Sequence, residues 1–336
     1  MRQIFYEKDA SLDILNGKSI GILGYGKQGR SQALNMRDSG ISNIIIGNIK
    51  DESFNQAEQD GFPVMKVRAA CQQADIIFML IPDEEQPKIY EEEVFPELKP
   101  GKVLNFASGY NITYGHIKPI AGIDVTMVAP RMIGAAVRSL YISGKGYPAF
   151  LDVAQDASGT AWNTTLAIAL AIGALKSGSM AVSFAEESWM DLLTEQATLP
   201  LIYKVMEAAF NVQVKAGLPP EAVLLEMYMS KEPAEIFNQA ATIGLFEQIK
   251  LHSQTSQFGQ ISILPKIETG QFEEFIKNIL ENRIKTGEFA EEWKHEQKQG
   301  LSNFLKMRNE LLLHHKMSLA EKQLQVALGK EYLEEE

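Results

Sequence analysis

The sequence predicts an α/β domain with a parallel sheet followed by an all-α domain, and three observations support this division. A chain of 336 residues is too long for one ordinary core. Short apolar runs alternate with helical patterns at first, whereas only helical patterns follow from Phe184 onward. A glycine pattern, Gly24-x-Gly26-x-x-Gly29, stands between a β-branched run and a helical stretch. We therefore predict domains over residues 1–181 and 182–336.

The glycine-rich turn predicts a dinucleotide site of the Rossmann type. A β-branched run at 20–23 precedes it, a helical stretch at 31–38 follows, and an apolar run at 44–46 completes a βαβ unit. In such units the glycines permit a tight turn, close approach of a pyrophosphate, and close packing of helix and strand. The helix N-terminus offers N–H groups to the phosphates. We expect cofactor contacts from Gly24, Tyr25, Gly26, Gln28 and Gly29; the alternative is a glycine-rich turn in another doubly wound sheet.

Four further apolar runs predict the rest of the sheet. They cover residues 76–81, 103–107, 124–129 and 147–153. The first is apolar at every position, as expected for a parallel strand that is covered on both faces. Because the carboxyl ends of parallel strands face the ligand crevice, we expect Ile81, Pro82, Ser108 and Arg131 to lie at that edge.

The segment after residues 44–46 bears on the choice between NADH and NADPH. It would meet the adenosine ribose, where a 2′-phosphate favours Arg or Lys and a free 2′-hydroxyl favours a carboxylate. The segment offers Lys50 and Ser53 as possible contacts, against the two acids Asp51 and Glu52. This balance favours NADH, and the alternative that both acids simply face solvent stays open.

Composition narrows the partners and the compartment. The formal net charge of −11 argues against nucleic acid or an anionic membrane surface as a partner. The single cysteine excludes an intrachain disulfide and fits a reducing cytoplasm. The longest apolar run, 166–175, is about half a membrane span and predicts a buried helix. We predict a cytoplasmic protein that binds neither nucleic acid nor membrane.

Three acidic residues of the second domain stand inside apolar helical patterns. Such patterns cover residues 186–215, 220–229, 232–250, 272–283, 291–313 and 319–332. Asp191 and Glu195 are four residues apart, which places both carboxylates on one helix face, where they could share a divalent cation. Glu226 is a similar acid in the second pattern. For all three, the alternative is a carboxylate on a solvated helix face.

The motifs also carry a family resemblance. The chain resembles the short-form (class I) ketol-acid reductoisomerases over nearly its whole length, through residues 6–10, 24–29, 33–40, 81–84, 90–93, 155–159, 191–196 and 287–293. The resemblance implies a Rossmann domain followed by a knotted helical domain that interleaves between two subunits, hence at least a homodimer with shared active sites. It also implies NADPH or NADH and Mg²⁺ as cofactors, and a small keto or hydroxy acid as substrate.

The two halves of the family reaction explain the residues that the resemblance assigns. A Mg²⁺-dependent alkyl shift converts an acetohydroxy acid into a 2-keto-3-hydroxy acid, and a hydride from the nicotinamide then reduces the ketone, in branched-chain amino acid biosynthesis. Two metal ions act as Lewis acids in the shift, so several carboxylates must converge. By resemblance, Asp191 bridges the metals and Glu195 is a neighbouring ligand. Glu226 is a ligand from the partner subunit, and Ser253 binds the substrate carboxylate.

The sequence departs from the family pattern at functional positions. Ser108 stands where the family has a histidine beside substrate and nicotinamide. Arg131 stands where it has a lysine, whose compact ammonium is not equivalent to a guanidinium. Gly134 of the same loop is expected to contact the cofactor. Ser230 replaces the second metal-binding glutamate of the partner helix, and His252 is a candidate to replace the missing imidazole.

Three interpretations of function follow from these matches and departures. The first is a diverged NAD(P)H-dependent reductase of a 2-keto acid or a related carbonyl or imine compound. In this interpretation the isomerase half of the reaction is weakened. The residues that carry the chemistry are Asp191, Glu195, Ser108 and Arg131. The second is an ordinary Mg²⁺-dependent ketol-acid reductoisomerase that tolerates the substitutions. The third is a non-catalytic relative that binds a dinucleotide.

Overall fold

The computed structural model describes residues 2–329, and its first part is built on one mixed sheet. The nine strands in that range are β1 (Ile4–Phe5), β2 (Ile20–Leu23), β3 (Ile44–Gly47), β4 (Val64–Met65), β5 (Ile76–Met79), β6 (Val103–Phe106), β7 (Asp124–Pro130), β8 (Ala149–Gln155) and β9 (Ser179–Ala181). They lie in the order β1-β9-β8-β7-β6-β5-β2-β3-β4. The pairs β1–β9 and β7–β8 are antiparallel, and all other neighbours are parallel.

The central strands form where the apolar runs predict them. Each of the six predicted runs contains one strand, and β2, β3, β5, β6 and β7 are buried at every position. Helices cover both faces of these strands, which therefore have no polar face to interrupt the run. The strands β1, β4 and β9 were not predicted, because two or three residues are too few to show a period.

The sheet has its topological switch at β2. From β2 the chain extends the sheet through β3 and β4 in one direction, and through β5, β6 and β7 in the other. Ile20 accordingly pairs with Ile44 on one side and with Ile76 on the other. The crevice at such a switch, outside the carboxyl ends of the strands, is where doubly wound sheets bind their ligands.

Eight α-helices accompany the sheet in the described part of this region, besides short 3-10 and π segments. They are α1 (Lys27–Asp38), α2 (Glu52–Gln59), α3 (Val67–Gln73), α4 (Gln86–Ile89), α5 (Tyr110–Thr113), α6 (Gly134–Ile142), α7 (Ala161–Ile172) and α8 (Phe184–Leu193). Helix α7 is the buried helix that the apolar run at 166–175 predicts, and it ends at Gly173, whose φ is +89°. Two apolar clusters hold the helices to the sheet, one that includes α1 and α7 and another that includes α3.

The region after α8 contains helices and, among its described residues, no strand, which confirms the all-α prediction. Its α-helices are α9 (Leu199–Lys215), α10 (Pro220–Leu224), α11 (Glu232–Ile243), α12 (Gln254–Ile263), α13 (Gly270–Asn278), α14 (Glu288–Lys298), α15 (Ser302–Asn309) and α16 (Lys316–Ala327). Short π-helical segments extend several of them, at Thr194–Thr198, Leu225–Met229, Ile279–Ile284 and Glu310–His314. The knotted path that the resemblance implies stays a prediction.

Two of the predicted helices are longer than those in the structure, because a residue with a positive φ interrupts each of them. The pattern at 232–250 ends at Ile243, because Gly244 has a φ of +109°. The pattern at 291–313 is interrupted before α15, where Leu301 has a φ of +62°. The last predicted helical residues, 330–332, lie outside the described residues.

The chain divides into two compact units, Met1–Asp191 and Leu192–Glu336. This division falls within the helical segment that begins with α8, whereas the sequence places the boundary between 181 and 182; that boundary stays a prediction. Among the described residues, none of the helices combines the length and the apolar character needed to cross a membrane.

Candidate dinucleotide and substrate site

The turn between β2 and α1 is shaped by its glycines. Gly24 has a φ of +89°, and a Cβ there would lie 2.7 Å from the carbonyl oxygen of Leu80. A Cβ on Gly29 would lie 2.1 Å from the carbonyl oxygen of Gly24. Gly26, in contrast, has nothing within 4 Å of an ideal Cβ position. The first and third glycines therefore permit close packing, while the second leaves open space in front of the helix.

That open space is an anion site by its chemistry. Gly26 is the N-cap of α1, and no side chain among the described residues bonds to this end of the helix. The first N–H groups of the helix and its partial positive charge are thus available to a phosphate. Tyr25 is fixed below the turn because its hydroxyl donates to Asp60 at 2.8 Å.

The loop between β7 and α6 is fastened to the same turn. Gln28 Nε2 donates to the carbonyl oxygen of Met132 at 3.1 Å, and Ser31 Oγ donates to that of Gly134 at 2.8 Å. A Cβ on Gly134 would lie 2.7 Å from the carbonyl carbon of Lys27. Gly134 therefore contributes by packing the loop against the dinucleotide turn.

A cavity of about 860 Å³ runs along the switch-point edge of the sheet. Of the residues predicted to contact the cofactor or to carry the chemistry, eight line it: Gly24, Tyr25, Gly26, Gln28, Ser53, Ile81, Pro82 and Ser108. The described lining does not include the other six of these residues, Gly29, Lys50, Arg131, Gly134, Asp191 and Glu195, and Lys50 is exposed. The open glycine turn, the free helix end and an elongated cavity fit a dinucleotide.

At one end of the cavity, Asp51 has a structural task. It is the N-cap of α2, and its Oδ1 accepts from the N–H of Phe54 at 2.9 Å and from Asn48 Nδ2 at 2.8 Å. Both bonds use Oδ1, and Asp51 lines the cavity. The other oxygen, Oδ2, accepts neither of these bonds. Glu52 is exposed and is not among the described lining residues.

Outside the described lining of this cavity, Arg131 joins two acids of α8. Its Nη2 donates to Glu187 Oε1 at 2.7 Å and its Nη1 to Asp191 Oδ1 at 3.2 Å. The guanidinium also lies over the ring of Phe150, 4.9 Å from its centroid. The side chain of Asp191 is half-exposed, and its carboxylate is already paired with the guanidinium of Arg131.

Glu187 is the most buried charge of this group, with 1% of its side chain exposed. Its second oxygen accepts from the N–H of Gly109 at 2.7 Å. Helix α8 approaches that turn so closely that a Cβ on Gly109 would lie 2.2 Å from the carbonyl oxygen of Phe184. Burial raises the pKa of Glu187, while Arg131 opposes the rise.

Ser108 lies beside a second acid, Asp83. Both line the cavity at the carboxyl ends of neighbouring strands, β6 and β5. Asp83 Oδ1 accepts from Gln86 Nε2 at 3.0 Å. Burial, followed by repulsion from Glu187 and other acids, raises the pKa of Asp83 to about 7.

Sequence reasoning missed Glu187, and it placed Asp83 at the crevice edge only as part of the segment 81–84, without a role. Glu187 stands four residues before Asp191, so one helix face carries Glu187, Asp191 and, on the sequence, Glu195. This spacing was a signal that could have revealed Glu187. Asp83 follows an apolar strand directly, but its low-polarity surroundings come from residues distant in sequence.

The remaining predicted residues lie in the second unit. Glu195 and Glu226 both stand on π-helical segments, which occur frequently at functional sites. Ser253 is the N-cap of α12, and its side chain accepts from the N–H of Ser256 at 3.3 Å. His252 Nε2 lies 3.1 Å from Gln248 Oε1.

A Mg²⁺ site is not assembled within one described chain. No group of three or more His, Cys, Asp or Glu side chains among the described residues has the arrangement to hold a metal ion. Carboxylates are the right donors for Mg²⁺, yet Asp191 gives one oxygen to Arg131. The metal-binding roles of Asp191, Glu195 and Glu226 therefore stay proposals.

Two family models together match most of the chain. The family model described as acetohydroxy acid isomeroreductase, NADPH-binding domain, matches residues 14–178. The model described as ketol-acid reductoisomerase, C-terminal domain, matches residues 184–328.

Individual relatives cover nearly the same length. A protein of Saccharolobus solfataricus is 44% identical over 94% of this chain and 95% of its own. A ketol-acid reductoisomerase (NADP(+)) of Pyrobaculum arsenaticum is 40% identical, with the same two coverages. A solved structure of an NADH-preferring ketol-acid reductoisomerase from an uncultured archaeal source matches with a TM-score of 0.89 and 34% identity, over 96% of this chain and 98% of the other.

Proposed function

The chain belongs to the ketol-acid reductoisomerase family, and we propose that it reduces a 2-keto acid, or a related carbonyl or imine compound, with NAD(P)H while its isomerase half is weakened. The observation that carries this proposal is the fork of Arg131, which holds Glu187 and Asp191 together. The alkyl shift depends on metal ions at Asp191, whereas hydride transfer depends on the dinucleotide cavity.

The cavity supports the reductive half. When bound, the nicotinamide supplies the hydride. The open space at Gly26 and the end of α1 would hold the pyrophosphate. The strand ends at Ile81, Pro82 and Ser108 would surround the reacting end. All of these features belong to one unit.

Three substitutions support a weaker isomerase half. Arg131 already donates to Asp191, so a metal ion at Asp191 must compete with its guanidinium. Ser108 lacks the proton-transfer capacity of the family's imidazole. Ser230 cannot supply the carboxylate that the resemblance places on the partner helix. We propose that Asp191 and Glu195, with Glu226 from a second copy, bind Mg²⁺, and that a second ion binds weakly.

The adenosine end of the cavity favours NADH. Asp51 lines the cavity and accepts hydrogen bonds from the N–H of Phe54 and from Asn48. A 2′-phosphate brought there would meet a carboxylate, whereas a 2′-hydroxyl would gain an acceptor. The relatives include both cofactor types. The Pyrobaculum arsenaticum protein is named a ketol-acid reductoisomerase (NADP(+)), and the solved archaeal structure is named NADH-preferring.

The surface of the helical unit supports a homodimer. Large apolar side chains are exposed there, including Phe258 at 75%, Phe246 at 68% and Phe237 at 57%. Apolar exposure on this scale is typical of a surface that another chain covers. A second copy would cover it and would also bring Glu226 to a shared site.

The test is nicotinamide oxidation, with and without Mg²⁺, on two substrates in parallel. 2-Acetolactate requires the alkyl shift before reduction, and 3-hydroxy-3-methyl-2-oxobutanoate requires reduction only. We expect turnover of the second substrate and little turnover of the first. The variant Arg131→Lys, which restores the family residue, should raise the rate on 2-acetolactate more than the rate on the second substrate. Equal rates on both substrates by the unmodified chain would refute the weakened isomerase half.

An ordinary ketol-acid reductoisomerase is the second candidate. The near full-length match to relatives that carry this name favours it, as do the retained acids Asp191, Glu195 and Glu226. It predicts efficient Mg²⁺-dependent turnover of 2-acetolactate, and no gain from Arg131→Lys. A dinucleotide-binding relative without activity would bind NAD(P)H and oxidise it with neither substrate.

A further inference from the structure

We propose that Asp60 is a positioning residue for the dinucleotide. Its carboxylate fixes the separation between the glycine turn, which would hold the pyrophosphate, and the N-terminal end of α2, which would hold the adenosine ribose. This inference rests on the dinucleotide binding of the function proposed above. Asp60 is not among the described lining residues of the cavity, so it would act through Tyr25 and through helix α2.

The cavity offers a dinucleotide two anchors, and they lie on different elements. Gly24 and Gly26 belong to the turn before α1, whereas Asp51 and Ser53 belong to the N-terminal end of α2. All four residues line the same cavity. A ligand that spans two anchors gains from both only if their separation matches its length. The structure must therefore hold α2 at a fixed distance from the glycine turn.

The opposite end of α2 is joined to the glycine turn by the carboxylate of Asp60. Its Oδ2 accepts from the hydroxyl of Tyr25 at 2.8 Å and from Arg30 Nε at 2.7 Å. Its Oδ1 accepts from Arg30 Nη2 at 3.1 Å and from Gln56 Nε2 at 3.2 Å. Tyr25 belongs to the turn, Arg30 to α1 and Gln56 to α2. One carboxylate thus connects all three elements.

Ring contacts reinforce this connection. The ring of Phe62 packs edge to face on that of Tyr25, with centroids 6.0 Å apart, and both side chains are buried. The guanidinium of Arg37, on α1, lies 4.8 Å from the centroid of the Phe62 ring. Arg37 Nη1 also donates to the carbonyl oxygen of Asp60 at 2.5 Å. The segment that follows α2 therefore moves together with the turn and with α1.

The place of Asp60 in its helix indicates that the carboxylate serves contacts outside that helix. Asp60 is the C-cap of α2, where the helix dipole disfavours a negative charge. Its side chain is only 13% exposed, so the charge also loses hydration. The hydrogen bond from Arg30 outweighs this burial and lowers the pKa of Asp60. A guanidinium that donates two bonds to one carboxylate is also more directional than an ordinary surface ion pair.

Helix α2 transmits this fixed position to the cavity. Its eight residues, Glu52–Gln59, form a rod of about 12 Å. Ala57 is fully buried, and Asp51 caps the first turn. Because the helix is short and capped, a displacement at Asp60 moves both cavity-lining residues of its N-terminal end relative to the glycine turn. The separation of the two anchors is therefore set at Asp60.

The experiment compares ligands that span both anchors with ligands that occupy only one. ADP and NADH contain both adenosine and pyrophosphate, whereas adenosine and inorganic pyrophosphate each represent one end. The Kd values are measured on the full chain by calorimetry, and for the weak fragments by ligand-observed NMR, without Mg²⁺ and without a carbonyl substrate. The variants are Asp60→Asn and Tyr25→Phe, with Glu58→Gln as a control that removes an exposed carboxylate from the same helix.

The two variants should weaken the spanning ligands selectively. Asp60→Asn replaces one acceptor oxygen by an NH₂ group, which cannot accept from Tyr25 or Arg30. We expect ADP and NADH to bind about tenfold more weakly, which is the factor that one charge-assisted hydrogen bond contributes. Adenosine and pyrophosphate should change by less than about twofold, because neither depends on the separation. The control should bind all four ligands as the unmodified chain does.

Tyr25→Phe tests the same hydrogen bond from its other side. It should weaken ADP and NADH in the same direction as Asp60→Asn. The double variant should lose less than the sum of the two single losses, because both changes break one bond. Fully additive losses would overturn the assignment of this bond as the positioning contact. Tyr25→Phe decides the question if Asp60→Asn does not fold, since it removes a single oxygen atom.

The ratio of the Kd for adenosine to the Kd for ADP separates positioning from a general structural role. If Asp60 is only structural, Asp60→Asn lowers Tm and leaves this ratio unchanged, and that outcome would overturn the proposal. Equal weakening of all four ligands would also overturn it, because it would indicate damage to an anchor rather than a changed separation. A ratio that falls about tenfold in Asp60→Asn, with the fragments unaffected, supports it.

These measurements do not depend on turnover, so they distinguish this inference from the proposed function. If NADH binds but no carbonyl compound is reduced, the proposed reductase function fails by itself, and the ratio still decides the role of Asp60. If carbonyl compounds are reduced but the ratio is the same in Asp60→Asn and in the unmodified chain, only the inference about Asp60 fails.

Discussion

Replacement of Gly26 by alanine should separate cofactor binding from folding. The residue has a φ of −71°, which alanine adopts without strain, and its ideal Cβ has no protein atom within 4 Å. The folded state therefore loses nothing, and the lower entropy of the unfolded chain would add about 0.4–1 kcal/mol of stability. The new methyl group would occupy the space that a pyrophosphate needs.

The loss of affinity can be estimated from the hydrogen bonds at stake. A bond from an N–H group of α1 to a charged phosphate contributes about 1.5–3 kcal/mol. Losing one such bond weakens binding by about ten- to a hundredfold. We expect this change in the Kd for NADH, measured by quenching of tryptophan fluorescence or by calorimetry, with an unchanged or slightly higher Tm.

The matched variant is Gly29→Ala, three residues further along the same turn. Its Cβ would lie 2.1 Å from the carbonyl oxygen of Gly24, so the helix must shift away from the strand. Overpacking of this kind costs about 1–3 kcal/mol, so Tm should fall by several degrees. If Gly26→Ala binds NADH normally, or if it unfolds like Gly29→Ala, the assignment of this turn as the pyrophosphate site is wrong.

Three further predictions concern the charged residues of the site. Arg131→Met leaves the buried carboxylate of Glu187 without its cation and should lower the free energy of unfolding by about 3–5 kcal/mol at pH 8. The loss should be smaller at pH 5, where Glu187 can take up a proton. Urea denaturation at the two pH values tests this. Asp51→Ala removes the N-cap of α2 and should lower the free energy of unfolding, measured by urea denaturation, by about 1 kcal/mol. It should also reduce any preference for NADH over NADPH. Asp51→Asn should keep the cap. Asp83→Asn should raise Tm at pH 8 and leave it unchanged near pH 4. The reason is that the pKa of the folded Asp83 carboxyl is raised to about 7, so the stability that this group contributes falls as pH rises between about 4 and 7. An equal change in Tm at both pH values would contradict the last prediction.

The strands and the dinucleotide turn could be predicted because their signals are local. A strand buried on both faces is an uninterrupted apolar run, and β2, β5 and β7 each show one. The helix ends of the second unit were harder to predict. Lys231 and Leu301 adopt left-handed backbone conformations, with φ of 70° and 62°. Nothing in a lysine or a leucine indicates such a conformation, since it is disfavoured for both.

The burial and pairing of the charged residues could not be predicted, because they depend on residues distant in sequence. Glu187 appears on the sequence as one acid of an amphipathic helix, and solvent is its default surrounding. In the fold, α8 packs against Gly109, and Arg131 arrives from the end of β7 to pair with the buried carboxylate. The same packing places two carboxylates of α8 near Asp83, which no local pattern marks as unusual. A substitution of lysine by arginine therefore changes more than one contact, because a forked guanidinium fixes Glu187 and Asp191 together and sets the charge that Asp83 experiences. The identity of residue 131 thus bears on metal access at Asp191 and on the charge around Asp83.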